Sequence, residues 1–242
     1  VIFKDIEFAR IHCQRQDRLF ICDGDAMIIP QKRLVNILQR VKERLPWVQR
    51  VGLYANTKSI AMKTDDQLKE LHDLGVKIAY MGLESGDDHI LKQIKKGADS
   101  SKMIKMGKRV KQAGIQLSIT VLNGLGGRKN SVRHAMETGR VLSAIDPDFV
   151  GALTLMLVPG TELYDQHEKG DFELMNPEEM LEELGLMIGS THLSNGLFHA
   201  NHASNYLPIR AKLPEEKEKT LEKISQALKG KTALKPEFMR AL

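Results

Sequence analysis

Four short stretches of this chain carry side chains able to do chemistry, and each directly follows an apolar run. They are Asp23-Gly24-Asp25, Asn56-Thr57-Lys58-Ser59, Glu84-Ser85-Gly86 and Asn123-Gly124-Leu125-Gly126-Gly127. Together they offer carboxylates, amides, hydroxyls and bare glycine backbone, and the last three hold no His or Cys. That set suits the binding of a polar, partly cationic small molecule better than nucleophilic catalysis. No Ser/His/Asp or Cys/His arrangement recommends itself. Each stretch also has a plain structural reading: Asp and Gly favour turns, and GLGG marks a tight turn as readily as it admits a ligand to the backbone. Glu84 is harder to dismiss, because a carboxylate adjoining a buried run needs a partner. His202, within Asn-His-Ala-Ser-Asn, reads as a hydrogen-bonded structural histidine, and the methionines on inward helix faces read as core.

The elements that must position these tips follow a simple pattern. Apolar runs at Arg18–Cys22, Val51–Ala55, Ile78–Leu83, Leu117–Leu122 and Phe149–Val158 are bounded by turn residues and read as strands. Between them lie helical patterns. Leu34, Ile37, Leu38, Val41 and Leu45 follow i, i+3, i+4, i+7 spacing, with Pro30 opening the helix and Pro46 ending it. Thr64 caps a helix that Gly75 closes. Asp87 or Asp88 caps the next, with Gly97 as its C′ residue. Ser100 or Ser101 caps a further helix, and Ser131 one over 132–143. Five strand–helix alternations in units of roughly 30 residues are the signature of parallel βαβ units. Five strands are too few for a closed eight-stranded barrel, so the expected fold is α/β, an open parallel β/α barrel or a doubly wound sheet. Residues 1–170 form the barrel part. Residues 171–242 read as a mostly helical extension, with a helix from Pro177 and a charged one over 214–228.

In such folds ligands bind at the carboxyl ends of the strands, which is where the four tips fall. The net charge of +5 raises the question of nucleic acid. Nine Lys/Arg against five Asp/Glu from Arg210 onward place most of the excess in the tail, interleaved as on a solvated helix. Aromatics are 5%, with no interleaved basic-aromatic stretch for stacking bases, so the sequence does not support nucleic-acid binding. No apolar run approaches the roughly 20 residues of a membrane helix, and the opening VIFKDIEFARIHC holds acids that a signal peptide lacks. Cys13 and Cys22 supply no disulfide framework and no zinc spacing, which makes a reducing, cytoplasmic setting the default.

Taken in order, the tips resemble the radical S-adenosylmethionine (radical SAM) barrel read from its second strand onward. ICDGDA resembles that superfamily's motif after strand two, which holds the methionine amino group. YANTKS occupies the place of the polar strand-three motif. GLESGDDHILKQIKKGA resembles the strand-four segment at ribose and carboxylate, and VKQAGIQLSITVLNGLGGRKNS the stretch whose backbone flanks adenine. ALTLMLVPGTELYD and NHASNYLP resemble a bacterial and archaeal subgroup of iron-sulfur oxidoreductases. The resemblance runs from about Arg18 to Leu213.

The resemblance implies a radical SAM enzyme of partial-barrel fold, acting on a small-molecule or unknown substrate with an electron donor for its cluster. It implies S-adenosylmethionine as cofactor. Asp23, Gly24 and Asp25 would meet the methionine amino end, Asn56, Glu84 and Ser85 the ribose and carboxylate region, Arg109 the carboxylate, and Gly124, Leu125, Gly126 and Gly127 the adenine. One departure is sharp. The superfamily's CxxxCxxC, whose three thiolates hold a [4Fe-4S] cluster, is absent, as is the first strand. The expectation is therefore a fragment cut downstream of the cluster loop, inactive as it stands, with a naturally clusterless protein as the lesser reading; a start on Val rather than Met points to the fragment. Two other readings remain open. In one, Asp23, Asp25 and Glu84 hold Mg²⁺ and the glycine loop a phosphate, as in an α/β-barrel lyase. In the other, the chain is an interaction domain with a vestigial site.

Overall fold

Apolar runs that stop at a polar tip become strands, and the runs spaced near 3.6 residues become helices. The computed structural model describes residues 1–22 and 24–241. The first half comprises α1 (Ile2–His12), β1 (Arg18–Ile21), a 3-10 turn (Ala26–Ile28), α2 (Gln31–Arg44), β2 (Arg50–Tyr54), α3 (Thr57–Ala61), α4 (Asp65–Asp73), β3 (Val76–Glu84) and α5 (Asp88–Gln93). There follow α6 (Ser100–Gln112), β4 (Gln116–Asn123), α7 (Gly127–Ile145), β5 (Phe149–Thr154), α8 (Glu162–Glu168), α9 (Pro177–Ser190), β6 (Gly196–Ala200), β7 (Ile209–Leu213) and α10 (Lys217–Leu228). The strands lie in one seven-stranded sheet in the order β1 to β7. β1–β2, β2–β3 and β5–β6 pair in parallel, and β6–β7 antiparallel. The α/β class and open parallel arrangement agree with the expectation.

By its contacts the chain divides into two units, Val1–Met81 with Lys105–Ser118, and Gly82–Ile104 with Ile119–Leu242. In the first, α1 packs on α2 and α2 on α4. The core there is Met27, Leu34, Leu38, Leu53, Ile60, Leu68 and Leu71, each fully buried. In the second, α7 packs on α9, α9 on α10, and α10 on β7. Val141, Leu142, Met187, Ile188, Phe198 and Ala211 fill that core. Among the described residues no helix is long and apolar enough to cross a membrane.

Several local expectations change. The tip after β2 is the short helix α3, because Asn56 accepts from the N–H groups of Lys58 and Ser59 and forms a capping box with Ser59. Asp87 does cap α5, but the helix ends at Gln93, and Lys95 rather than Gly97 takes the first left-handed position after it, at φ 55°. Ser100 does not cap α6. Its N–H and hydroxyl bond Asp88, and Asp99 accepts from Lys102 N. α7 starts at Gly127, so Ser131 lies inside the helix and the glycine stretch supplies its first turn. Residues 171–242, expected to be mostly helical, also add β6 and β7 to the sheet.

Candidate functional site

In the first unit the chain leaves β1, passes Gly24 at φ 51° and reaches Asp25. Asp23 lies outside the described residues. Both carboxylate oxygens of Asp25 are shielded from solvent with no hydrogen-bond partner. Burial pushes this carboxyl up from the usual aspartate range, opposed by the Ser59 hydroxyl and the N–H groups of Met27, Asn56 and Ile28, which face it without completing a bond of normal geometry. The Ser59 hydroxyl is placed there by the capping box, where it accepts from Asn56 N at 3.0 Å. Lys63 is buried, donating to Ile29 O at 2.6 Å; its burial lowers its pKa while the charge of Asp25 raises it. Arg109 is engaged within the same unit. It donates to Asp65 at 2.7 Å, to Lys63 O at 2.6 Å and to Ile60 O at 3.3 Å, bracing the α3–α4 turn. An orphaned carboxylate beside a braced turn has the chemistry to accept N–H donors from a cation.

In the second unit Glu84 ends β3 at φ 62°, a backbone region costly for a residue with a Cβ. Its Oε1 accepts from Lys96 at 3.0 Å. Ser85 turns inward. Asp87 N donates to Ser85 Oγ at 3.0 Å, and Ser85 Oγ lies 2.8 Å from His134 Nδ1. His134 Nε2 lies 3.2 Å from Leu122 O. A carbonyl only accepts, so Nε2 carries the proton, Nδ1 accepts, and the serine hydroxyl donates to it. Burial holds His134 down at about 4 and hence neutral, against the opposing pull of Leu122 O and Asp87. Gly86 N donates to Thr138 at 2.9 Å, and a Cβ at Gly86 would collide with the Glu137 carbonyl. The ESG tip is thus plugged into α7. Asp87 also pairs with Arg133.

The glycine stretch is fixed from α9. Gly124 N donates to Glu183 Oε1 at 2.6 Å, while Glu183 Oε2 finds no partner. Burial pushes Glu183 up to about 7, opposed by the Gly124 N–H and the Ser131 hydroxyl. Gly124 sits at φ 93°, and a Cβ there would strike Met180. Leu125, Gly126 and Gly127 are buried. A cleft of about 640 Å³ opens beside the first turn of α7, lined by His89, Lys95, Arg128, Arg133, Glu162 and Phe172 among others. Lining residues pair with one another, Lys95 with Glu162 and Arg128 with Glu173, and Arg128 also pairs with Glu179 of α9.

Of the sequence-derived candidates, Gly24, Asp25, Asn56 and Arg109 fall in the first unit, and Glu84, Ser85 and Gly124–Gly127 in the second. Sequence reasoning missed Lys63, His134 and Glu183. Lys63 and Glu183 sit among other charged residues, and His134 is a lone histidine in a helix; none carries a local signal. Among the described residues, no group of three or more His, Cys, Asp or Glu side chains could hold a metal ion. Cys22 is exposed and Cys13 half-buried, and two thiols are too few for the cysteine ligands of a [4Fe-4S] cluster.

A family model described as the Radical SAM superfamily matches residues 3–141. An uncharacterized protein of Methanocaldococcus jannaschii is 26% identical over 192 residues, covering 76% of this chain and 58% of the relative. A tRNA uridine(34) acetyltransferase of Methanocaldococcus infernus is 26% identical over 121 residues, 49% of this chain and 22% of that protein. The chain therefore spans under two thirds of the curated relatives it matches. The structure of Methanocaldococcus infernus Elp3 with an N-terminal deletion shares the fold, with a TM-score of 0.58 at 17% identity over 96% of this chain and 59% of that one.

Proposed function

The chain belongs to the radical SAM superfamily, and we propose that it is the part of a radical SAM enzyme that holds S-adenosylmethionine. The observation that carries this reading is Asp25. Its two shielded, unpartnered oxygens stand at the strand end where the resembling motif takes the methionine amino group. An ammonium supplies N–H donors and a positive charge, which together satisfy the carboxylate and draw its pKa back down. When bound and reduced, this cofactor supplies the radical that removes hydrogen from a substrate.

The remaining roles are proposals of the same kind. The Glu84 carboxylate, steadied by Lys96, accepts from ribose hydroxyls. Asn56 spends its carbonyl oxygen on capping α3 and keeps its amide N–H groups for the ligand. The Gly124–Gly127 backbone, lacking Cβ atoms except at Leu125, admits a flat ring. Ser85 and Arg109 act by holding their elements, since their polar atoms already have protein partners. The cysteines do not fit a [4Fe-4S] cluster, so electron delivery is assigned to no residue here. Substrate and reaction outcome follow the family at the level of hydrogen abstraction alone.

Calorimetry of the chain with S-adenosylmethionine tests this directly. Saturable binding is expected, weakened about tenfold or more by Asp25→Asn, a loss of about 1.4 kcal/mol. Absence of binding overturns the reading, and equal affinity in the variant removes Asp25 from the site.

A further inference from the structure

We propose that the face of β1, β2 and β3 carrying Phe20, Tyr54 and Tyr80 is a landing surface for single-stranded nucleic acid, with bases stacked on the rings and phosphates held by Arg18 and Arg50. All five residues belong to the first unit. The ring centroids lie 4.9 Å apart for Phe20–Tyr54, 5.5 Å for Phe20–Tyr80 and 6.0 Å for Tyr54–Tyr80, each pair edge to face. Such a trio ordinarily fills a core. Here Phe20 is 38% exposed and Tyr54 47%.

The platform is built into the sheet. Parallel register sets Phe20 opposite Gly52, and Tyr54 opposite Tyr80. A Cβ on Gly52 would come within 3.0 Å of the Phe20 ring and 3.2 Å of Ile78, so the ring rests close against the backbone of β2 and would have to shift for any larger residue. Alternation along a strand puts Arg18 on the face of Phe20, and Arg50 on the face of Gly52 and Tyr54. Arg18 and Arg50 are register partners, which starts β1 and β2 on the same face with one arginine each. Arg18 touches Asp17 only at 3.8 Å, and its side chain remains 71% exposed.

Two residues of strand rise, about 6.6 Å, separate the arginines from the level of Phe20. The arginine pair selects an anion, and the exposed rings select flat faces. A single strand supplies both at fixed spacing, whereas a duplex keeps its base faces covered. Tyr54 is the last residue of β2, two before Asn56, so the surface runs up to the strand end that holds Asp25. The proposal names the substrate class for the preceding reading and rests on it only in calling the strand a substrate.

The test is fluorescence anisotropy of the chain with a short labelled oligouridine at low salt, beside calorimetry with S-adenosylmethionine. Saturable binding is expected, weakened about tenfold for each stacked base lost in Tyr54→Ser and Tyr80→Ser, and weakened with a shallower salt dependence in Arg18→Ser. Circular dichroism checks that each variant folds, the half-buried Tyr80 above all. No binding by the wild-type chain overturns the proposal, as does a duplex of equal length binding equally well, affinity unchanged in the tyrosine variants, or an acidic peptide competing as well as unlabelled strand. Loss of S-adenosylmethionine binding with strand binding intact removes the cofactor reading and leaves the surface; the reverse removes the surface alone.

Discussion

His134 and Glu183 are buried 3.7 Å apart, and their proton affinities are displaced in opposite directions. For His134 the folded value is about 4 against an ordinary 6.5. Between those pH values the unfolded chain takes up a proton that the folded chain refuses, so this residue makes stability fall as pH drops. For Glu183 the folded value is about 7 against an ordinary 4.5. There the folded chain keeps a proton that the unfolded chain releases, so stability falls as pH rises from 4.5 to 7. Each contribution has a ceiling of about 3 kcal/mol, and the two oppose each other between pH 4.5 and 6.5. Glu183→Gln keeps an acceptor for the Gly124 N–H while abolishing the second slope. Relative to wild type, this variant is expected to gain about 3 kcal/mol at pH 8 and almost nothing at pH 4. Urea unfolding of both proteins across that range measures the gap. A gap that stays constant with pH would remove Glu183 as the titrating group.

At the scale of elements, the α3 cap ties local helix chemistry to the candidate site, because the serine it fixes faces Asp25. Asn56→Ala is expected to cost about 1 kcal/mol of stability, and Asn56→Asp to restore most of it; thermal unfolding reads both. If the aspartate variant is as unstable as the alanine one, capping is not what Asn56 does. This helix was illegible in the sequence because five residues are too few for a 3.6-residue period to show. Two other caps were legible. Thr64 with Gln67 and Asp87 with His89 both behave as their types imply. The start of α7 was hidden because Gly126 offers no capping side chain, while Ser131, four residues on, looks like a cap. The end of α5 was hidden because Lys95 takes a left-handed backbone that Gly97 advertises more plainly. Glu84 and Gly124 were legible as a tip and a turn. What anchors Ser85 and Gly124 was not, since their partners His134 and Glu183 lie far along the chain from them.

At the scale of the molecule, the alternation of strand and helix carried the fold, because each βα unit announces itself over about 30 residues. β6 and β7 did not, being five residues each beside a run rich in His and Asn that reads as loop. The aromatic platform was equally hidden: Phe20, Tyr54 and Tyr80 are isolated aromatics in the sequence, and only parallel register gathers them. That register also bears on dynamics. β1 has four residues, exposed or half-buried in alternation, and among the described strands it pairs only with β2. β3 and β4 have neighbours on both sides in the sheet order and bury most of their residues. Local opening is governed by how much buried contact it breaks, so β1 amides are expected to exchange at least about tenfold faster than those of β3, measured by hydrogen–deuterium exchange. A strand laid across Phe20, Tyr54 and Tyr80 adds contacts that opening β1 must break. Oligouridine is therefore expected to slow exchange in β1 and β2 and leave β6 and β7 unchanged. Equal protection of β1 and β3 in the free chain would show that the end of the sheet is not its weakest part. Slowing spread evenly over all strands would mean that bound nucleic acid stabilises the fold as a whole rather than through this face.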